Sequence, residues 1–311
     1  MAPDKVNNSD KPSTSASSLR EHLSHNHRKI MTILITGGTG KTGLALAGLL
    51  HDSGYSFLIT SRKGTAPAPY KAIKFDWFKP ETFEAPFQSD SNIDKVFLID
   101  PPAFDIFPRV KPFIDIALSR GVKRFVGLTT TQTNPKDVPL GKVHQYLLDL
   151  GVDYAILRPT WFIENFGTDL QPSIRDDDEI ASSGEDGKVP FVSVKDIAAA
   201  AFIALTAEES LNKDIFVIGP NLYSYDEACI SLLDDTLGRL TWRNSLRTVE
   251  EQTEMFQQFL SPEYAAHLAR VEHLIADGGE EKFFYESEDR KYVGKHTLAE
   301  YIESNRALWM K

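Results

Sequence analysis

The sequence predicts an α/β fold: a Rossmann-type, doubly wound parallel sheet followed by a smaller, mainly helical C-terminal substrate lobe. Three observations lead to it. Ile33-Leu34-Ile35, a short β-branched apolar run, passes directly into the glycine-rich turn Thr36 to Gly43 and then into Leu44 to Leu50, apolar at helical spacing. Further short apolar runs recur down the chain with helix-like stretches between them, the alternation expected of a parallel sheet with crossover helices. Beyond Gly219-Pro220 the pattern turns to amphipathic helices.

Within the first unit, Gly37, Gly40 and Gly43 are spaced G-x-x-G-x-x-G. Gly37 allows a sharp turn, Gly40 lets backbone approach a pyrophosphate, and Gly43 lets the helix pack close to the sheet. The free N–H groups and positive end of that helix make an anion site. A P-loop is not met, because Lys41 precedes Gly43 rather than following it.

Ser56 to Thr60 reads as the second strand and leads into Ser61-Arg62-Lys63. A carboxylate here would hold the ribose of NAD; Arg62 and Lys63 favour the 2′-phosphate of NADPH, the alternative being plain surface charge. The third strand, Ala72 to Phe75, ends in Asp76-Trp77, placed near an adenine, although Trp77 suits the core equally. Val96 to Ile99 is the fourth strand. The Asp100-Pro101-Pro102 that ends it either faces a nicotinamide or caps a helix over Phe104 to Leu118.

Phe125 to Leu128 leads to Thr129-Thr130-Thr131 and a helix near Gly141 to Leu150, and Tyr154 to Leu157 leads into Arg158 to Phe166. Arg175 to Glu179 reads as an acidic loop without metal-ligand spacing. Asp196 reads as the cap of a helix over Ile197 to Leu205, and Ile215 to Ile218 as a further strand. Helices are expected at Tyr225 to Leu237, Val249 to Leu260, Pro262 to Asp277 and Thr297 to Trp309. The expected organisation is a disordered tail over residues 1–30, a dinucleotide-binding domain over 31–218 with a substrate-lining segment at 159–190, and a lobe over 219–311.

Composition narrows the function. The hydrophobic content of 41% is globular, and 34 basic against 44 acidic residues leave a net charge of −10, unsuited to general nucleic-acid binding. No apolar run approaches the roughly 20 residues of a membrane span. Cys229 is the single cysteine, which fits a reducing, cytoplasmic compartment, and reads as a packing residue. Residues 7–18 are polar and rich in Ser, Pro and Lys, no apolar h-region expected of a secretory signal is found there, and His22, His25 and His27 nearby lack a scaffold for metal. A monomer or homodimer is expected.

Met31 to Thr42 (MTILITGGTGKT), Lys74 to Trp77 (KFDW), Gly121 to Leu128 (GVKRFVGL), Val143 to Leu147 (VHQYL) and Leu157 to Asn165 (LRPTWFIEN) resemble the NmrA-like branch of the atypical short-chain dehydrogenase/reductases. With Gly187 to Val192 (GKVPFV) and Gly219-Pro220, the chain is similar to the fungal ergot-alkaloid reductases, the festuclavine and agroclavine dehydrogenase group. That resemblance implies NADPH-dependent hydride delivery to a cyclic iminium carbon of an indole alkaloid. It places Gly37, Gly40 and Thr42 at the pyrophosphate, Arg62 at the 2′-phosphate, and Asp76 and Trp77 at the adenine; Lys41 and Lys63 are further cofactor-binding candidates beside them. Pro101, Thr129 and Thr130 would line the nicotinamide side, and Trp161, Phe162 and Asn165 the substrate side.

The Tyr-x-x-x-Lys proton donor of most short-chain dehydrogenases occurs only at Tyr70 and Lys74, on the wrong side of the expected sheet. An iminium does not require it, since hydride addition to C=N⁺ yields a neutral amine. Asp100, if ionised, would attract such a cation, and His144 is the one proton-transfer candidate, with a polar helix-surface role as its alternative. Two other functions fit the same residues: reduction of a carbonyl or conjugated alkene, and a non-catalytic NADP-sensing regulator.

Overall fold

In the computed structural model, which describes residues 31–101, 103–228 and 243–310, β1 (Thr32–Ile35) lies inside an eight-stranded sheet, third from one edge. Its neighbours are β2 (Ser56–Ser61), followed outward by β3 (Ala72–Lys74), and on the other side β4 (Ile93–Leu98), β5 (Arg124–Leu128) and β6 (Asp153–Pro159). The order 3-2-1-4-5-6 is that of a doubly wound dinucleotide-binding sheet, extended here by β8 (Lys213–Ile218) and β10 (Lys291–Val293). Every pairing within it is parallel. The order reverses between β1 and β4, which opens a crevice at their carboxyl ends.

Side chains alternate across the strands, so the sheet is buried on both faces. On one face Ile33 and Ile35 pack with Leu46, Ala47 and Leu50 of α1 (Lys41–Asp52), and with the alanine-rich α6 (Val194–Thr206). On the other, Leu34 packs with Phe113 and Ile114 of α3 (Phe107–Ser119) and Leu147 of α4 (Gly141–Leu150). A short helix, α2 (Ala85–Ser89), precedes β4.

Several local readings change. β4 begins at Ile93, three residues earlier than its apolar run, because the polar pair Asp94-Lys95 is inside it. Lys95 donates to the Leu205 carbonyl at 2.7 Å, and Arg124 to the Ala204 and Ala207 carbonyls, so these cations finish the C-terminus of α6. α3 starts at Phe107 with Ile106 before it, so Asp100 is not its cap. The expected acidic loop is instead α5 (Gln171–Asp177) and β7 (Glu179–Ser182), separated by Asp178 at φ 55°. β7 pairs with β9 (Arg243–Leu246) in a second small sheet. Ser193, not Asp196, caps α6, accepting from Lys195 N at 3.2 Å. Asp196 sits inside the helix and receives the His296 main chain and Nδ1 at 3.0 and 2.9 Å.

The remaining elements are α7 (Val249–Phe256), α8 (Pro262–His273), α9 (Glu281–Phe284) and α10 (Leu298–Ser304). A third apolar cluster joins Ile163, Phe166 and Phe191 to Tyr225, Ile275 and Trp309. Among the described residues no helix is long and apolar enough to cross a membrane, and no group of three or more His, Cys, Asp or Glu is placed to hold a metal ion. The expected tail at 1–30, the histidines within it, Cys229 and the helix beyond residue 228 lie outside the described residues.

Candidate active site

The glycine turn has the geometry its spacing implies. Gly37 takes φ 58°, the left-handed region, with Ile99 3.1 Å from where a Cβ would stand. A Cβ on Gly43 would come within 2.7 Å of the Gly38 Cα and 2.8 Å of the Gly37 carbonyl, so the first turn of α1 rests directly on the loop. Gly40 precedes α1 in extended backbone, with no side chain capping the helix and no acid in its first turn. An anion therefore meets free N–H groups there and no carboxylate. Lys41 reaches away from the turn, donating to Thr168 Oγ1 at 2.8 Å.

Beside the turn, Thr39 shares an open recess with Ser61, Arg62, Lys63 and Thr65. Ser61 Oγ donates to the Thr65 carbonyl and accepts from its N–H, which holds this loop in shape. The uncapped helix end and two cations beside it fit a dinucleotide diphosphate carrying an extra phosphate.

On the opposite side of the β1–β4 crevice is a cavity of about 360 Å³. Thr129 and Thr130, at the end of β5, line it together with Trp161, Phe162 and Asn165. The structure thus brings together five residues expected to contact nicotinamide or substrate. The segment from Leu157 to Asn165 divides its labour. Arg158 pairs with Asp214 at 2.9 Å and donates to the Thr131 carbonyl; Glu164 accepts from Ser193 Oγ and Val194 N at the start of α6. These contacts hold the backbone while the aromatic residues between them face the cavity.

Other lining residues had no signal in the sequence. Met255, Phe256 and Phe259 close the cavity from α7 and the turn after it, and Tyr264, Glu272 and Glu280 from the chain beyond. Burial raises the pKa of Glu280 and pushes that of Glu272 up to about 7, in both cases against the hydrogen bonds they accept.

No family model matches the chain. Among curated proteins, the agroclavine dehydrogenase of Claviceps fusiformis is 36% identical over 287 residues, 90% of this chain and 99% of that protein. The festuclavine dehydrogenase of Aspergillus fumigatus is 35% identical over 292 residues, 90% of this chain and all of that protein. The chain belongs to the agroclavine and festuclavine dehydrogenase family. The fold of this family member is also that of the NADPH-dependent quinone oxidoreductase of Escherichia coli solved with NADPH, at a TM-score of 0.68 and 19% identity over 88% of this chain and 99% of that one.

Three expected roles, those of His144, Trp77 and Asp100, change in this dehydrogenase-family chain. His144 does not line the cavity: its ring is buried at 1% exposure between α4 and the sheet, near Tyr154, with neither nitrogen hydrogen-bonded among the described residues. Burial lowers its pKa, so it is a neutral core group and not a proton donor. Trp77 is core as well, edge-on to Phe75 at 4.8 Å and Phe113 at 5.3 Å, which leaves the half-buried Asp76 alone at that strand end. The Asp76 carboxylate accepts from Phe78 N at 3.0 Å. Pro101 is buried but is not part of the cavity wall.

Asp100 is half-buried, with Oδ1 sealed from water and unpartnered among the described residues. Desolvation pushes its pKa up to about 8, so at neutral pH it carries a proton and attracts no cation. This has a stability consequence. Between the ordinary carboxylate range and pH 8 the unfolded chain releases this proton and the folded chain keeps it, so stability falls as pH rises. Asp100→Asn is expected to raise the thermal midpoint at pH 7 to 8, by about 2–4 °C for each kcal/mol recovered, and to have little effect below pH 4. A variant gain that is equal at both pH values would show that the carboxyl ionises normally.

Proposed function

We propose that the protein is an NADPH-dependent oxidoreductase that delivers hydride to the carbon of a cyclic iminium in an indole, ergot-type alkaloid. The observation that carries this is an aromatic-walled cavity across the β1–β4 crevice from the glycine turn, without a tyrosine-lysine proton-donating pair. Tyr70 packs edge-on to His51 and Phe57, away from the cavity. The tyrosines that do line the cavity, Tyr225 and Tyr264, are followed four residues later by Cys229 and Leu268.

Gly37, Gly40 and Thr42 would hold the pyrophosphate, with Arg62, Lys63 and Thr39 around the 2′-phosphate and Thr129 and Thr130 on the nicotinamide side. Once bound, NADPH supplies the hydride. The chain's own residues supply orientation and exclude water. Trp161 and Phe162 offer ring faces to a cation, each worth about 0.5–2 kcal/mol depending on desolvation. A neutral amine product needs no proton, so the missing acid is no obstacle to turnover. The names of the relatives, and NADPH in the quinone oxidoreductase of the same fold, support this reading.

The test is NADPH consumption with a cyclic iminium set beside the matching cyclic ketone. Iminium turnover at least about tenfold faster than ketone turnover is expected. Equal rates would point to a carbonyl reductase. Tight NADP binding without turnover of either would point to a dinucleotide-sensing regulator.

A further inference from the structure

We infer that Glu272 is the residue that selects for positive charge in the cavity, its unpaired carboxylate oxygen taking the cationic nitrogen of the substrate. The inference rests on the function proposed above and adds to it a residue outside the sequence motifs. Three acids line the cavity, and they differ in what their oxygens do.

Asp169 is exposed, so its charge is screened by water. Glu280 is buried but saturated. Its Oε1 accepts from Gln132 Nε2 at 3.0 Å and its Oε2 from Thr160 Oγ1 at 2.7 Å, and the one Thr131 hydroxyl proton lies between the two oxygens, at 2.8 and 2.9 Å from Oγ1. Those bonds tie the ends of β5 and β6 to the turn before α9 and leave the group no direction in which to recognise a ligand.

Glu272 is different. It is 4% exposed, and only Oε2 is engaged, by Ser183 N at 3.1 Å and Ser183 Oγ at 3.0 Å. Oε1 has no hydrogen-bond partner among the described residues. The next residue, His273, places Nδ1 3.0 Å from the Ser183 carbonyl, so two successive side chains of α8 grip one residue and fix the carboxylate. Arg247 is close enough to favour the charged form, and Tyr225 stands in the field of both Glu272 and Glu280.

Glu272 also occupies the last turn of α8, where the helix dipole opposes a negative charge. Burial and dipole both disfavour ionisation, and Oε1, which is not among the sealed atoms, is the side from which a partner in the cavity can complete the charge. A cation held by the aromatic walls completes it, and neutral ligands of the same shape do not. Because burial places its titration at about 7, the preference for a cation is stronger at pH 8 than at pH 6.

The experiment is calorimetric titration of the full chain with N-methylquinolinium, a permanent cation, and with 1-methylnaphthalene, its uncharged counterpart in shape. Wild type is expected to bind the cation about tenfold more tightly at pH 8 than at pH 6, following the ionised fraction, while 1-methylnaphthalene binding stays flat. In Glu272→Gln, which keeps an acceptor for Ser183, the preference for the cation is expected to vanish at both pH values. Unchanged 1-methylnaphthalene affinity in that variant would report an intact cavity.

The pH dependence of wild type serves even where the variant folds poorly. Retention of the cation preference in Glu272→Gln, its loss in Asp169→Asn instead, or a wild type that does not prefer the cation at pH 8 would each overturn the assignment. Neither NADPH nor turnover enters these titrations. Failure of iminium reduction therefore leaves charge selection measurable, and absence of charge selection leaves the reductase reading standing.

Discussion

Replacing Arg62 by alanine is expected to weaken NADPH binding by about tenfold or more and to leave NADH binding within about twofold. Arg62 stands with Lys63 and Thr39 around a recess next to the glycine turn, and neither cation has a carboxylate partner among the described residues. The recess does not depend on Arg62 for its shape. That comes from the paired Ser61–Thr65 hydrogen bonds and from Gly64 at φ 70° against the Lys74 backbone. The substitution therefore removes a charged fork that would meet a 2′-phosphate in the recess, and little else. Fluorescence titration with both dinucleotides reads the result, and the lost affinity should diminish as salt is raised. An equal loss for NADPH and NADH, or none for either, would mean that the recess does not receive the 2′-phosphate.

Gly219→Ala is expected to destabilise the fold by about 3 kcal/mol or more, lowering the thermal midpoint by on the order of 10 °C. A Cβ there would stand 1.8 Å from the Phe191 carbonyl oxygen and 2.7 Å from its carbon. Neither can yield, because Gly219 N donates to the Pro190 carbonyl at 2.8 Å and locks the two segments together. Phe191 lines the cavity, so strain at this point reaches the substrate side. Gly187 is in the same position against Ile275, whose carbonyl oxygen lies 1.9 Å from where a Cβ would stand. The glycines of the GKVPFV and Gly219-Pro220 segments thus mark close backbone approaches, while Phe191 of the first segment lines the cavity. A thermal melt of Gly219→Ala that matches wild type would show that these two segments are not held in contact.

The βα units were legible because each strand, buried on both faces, is a run of branched apolar residues, and each helix repeats its apolar positions every three to four residues. Arg62 and Lys63 were legible because their distance from the glycine turn is set by one helix and one strand. The reading failed where polar residues serve the interior. Asp94 and Lys95 hid the first half of β4, and His144 looked like a surface group until the packing of α4 enclosed it. Trp77 had two readings that composition could not separate, and the aromatic contacts with Phe75, Phe83 and Phe113 decided between them.

The chain's local order alone established the doubly wound sheet, the uncapped helix end beside two cations, and the aromatic strip at Trp161-Phe162, since all of these depend on neighbours within a few tens of residues. Tertiary packing decided which acids are ionised and where they point. Glu272 and Glu280 lie more than a hundred residues beyond Thr131 and Thr160 and carry no periodic signal. Their burial, their partners and hence their proton affinity arise only when α8 and the turn before α9 close over the cavity, because desolvation is a property of the assembled surroundings and not of the residue.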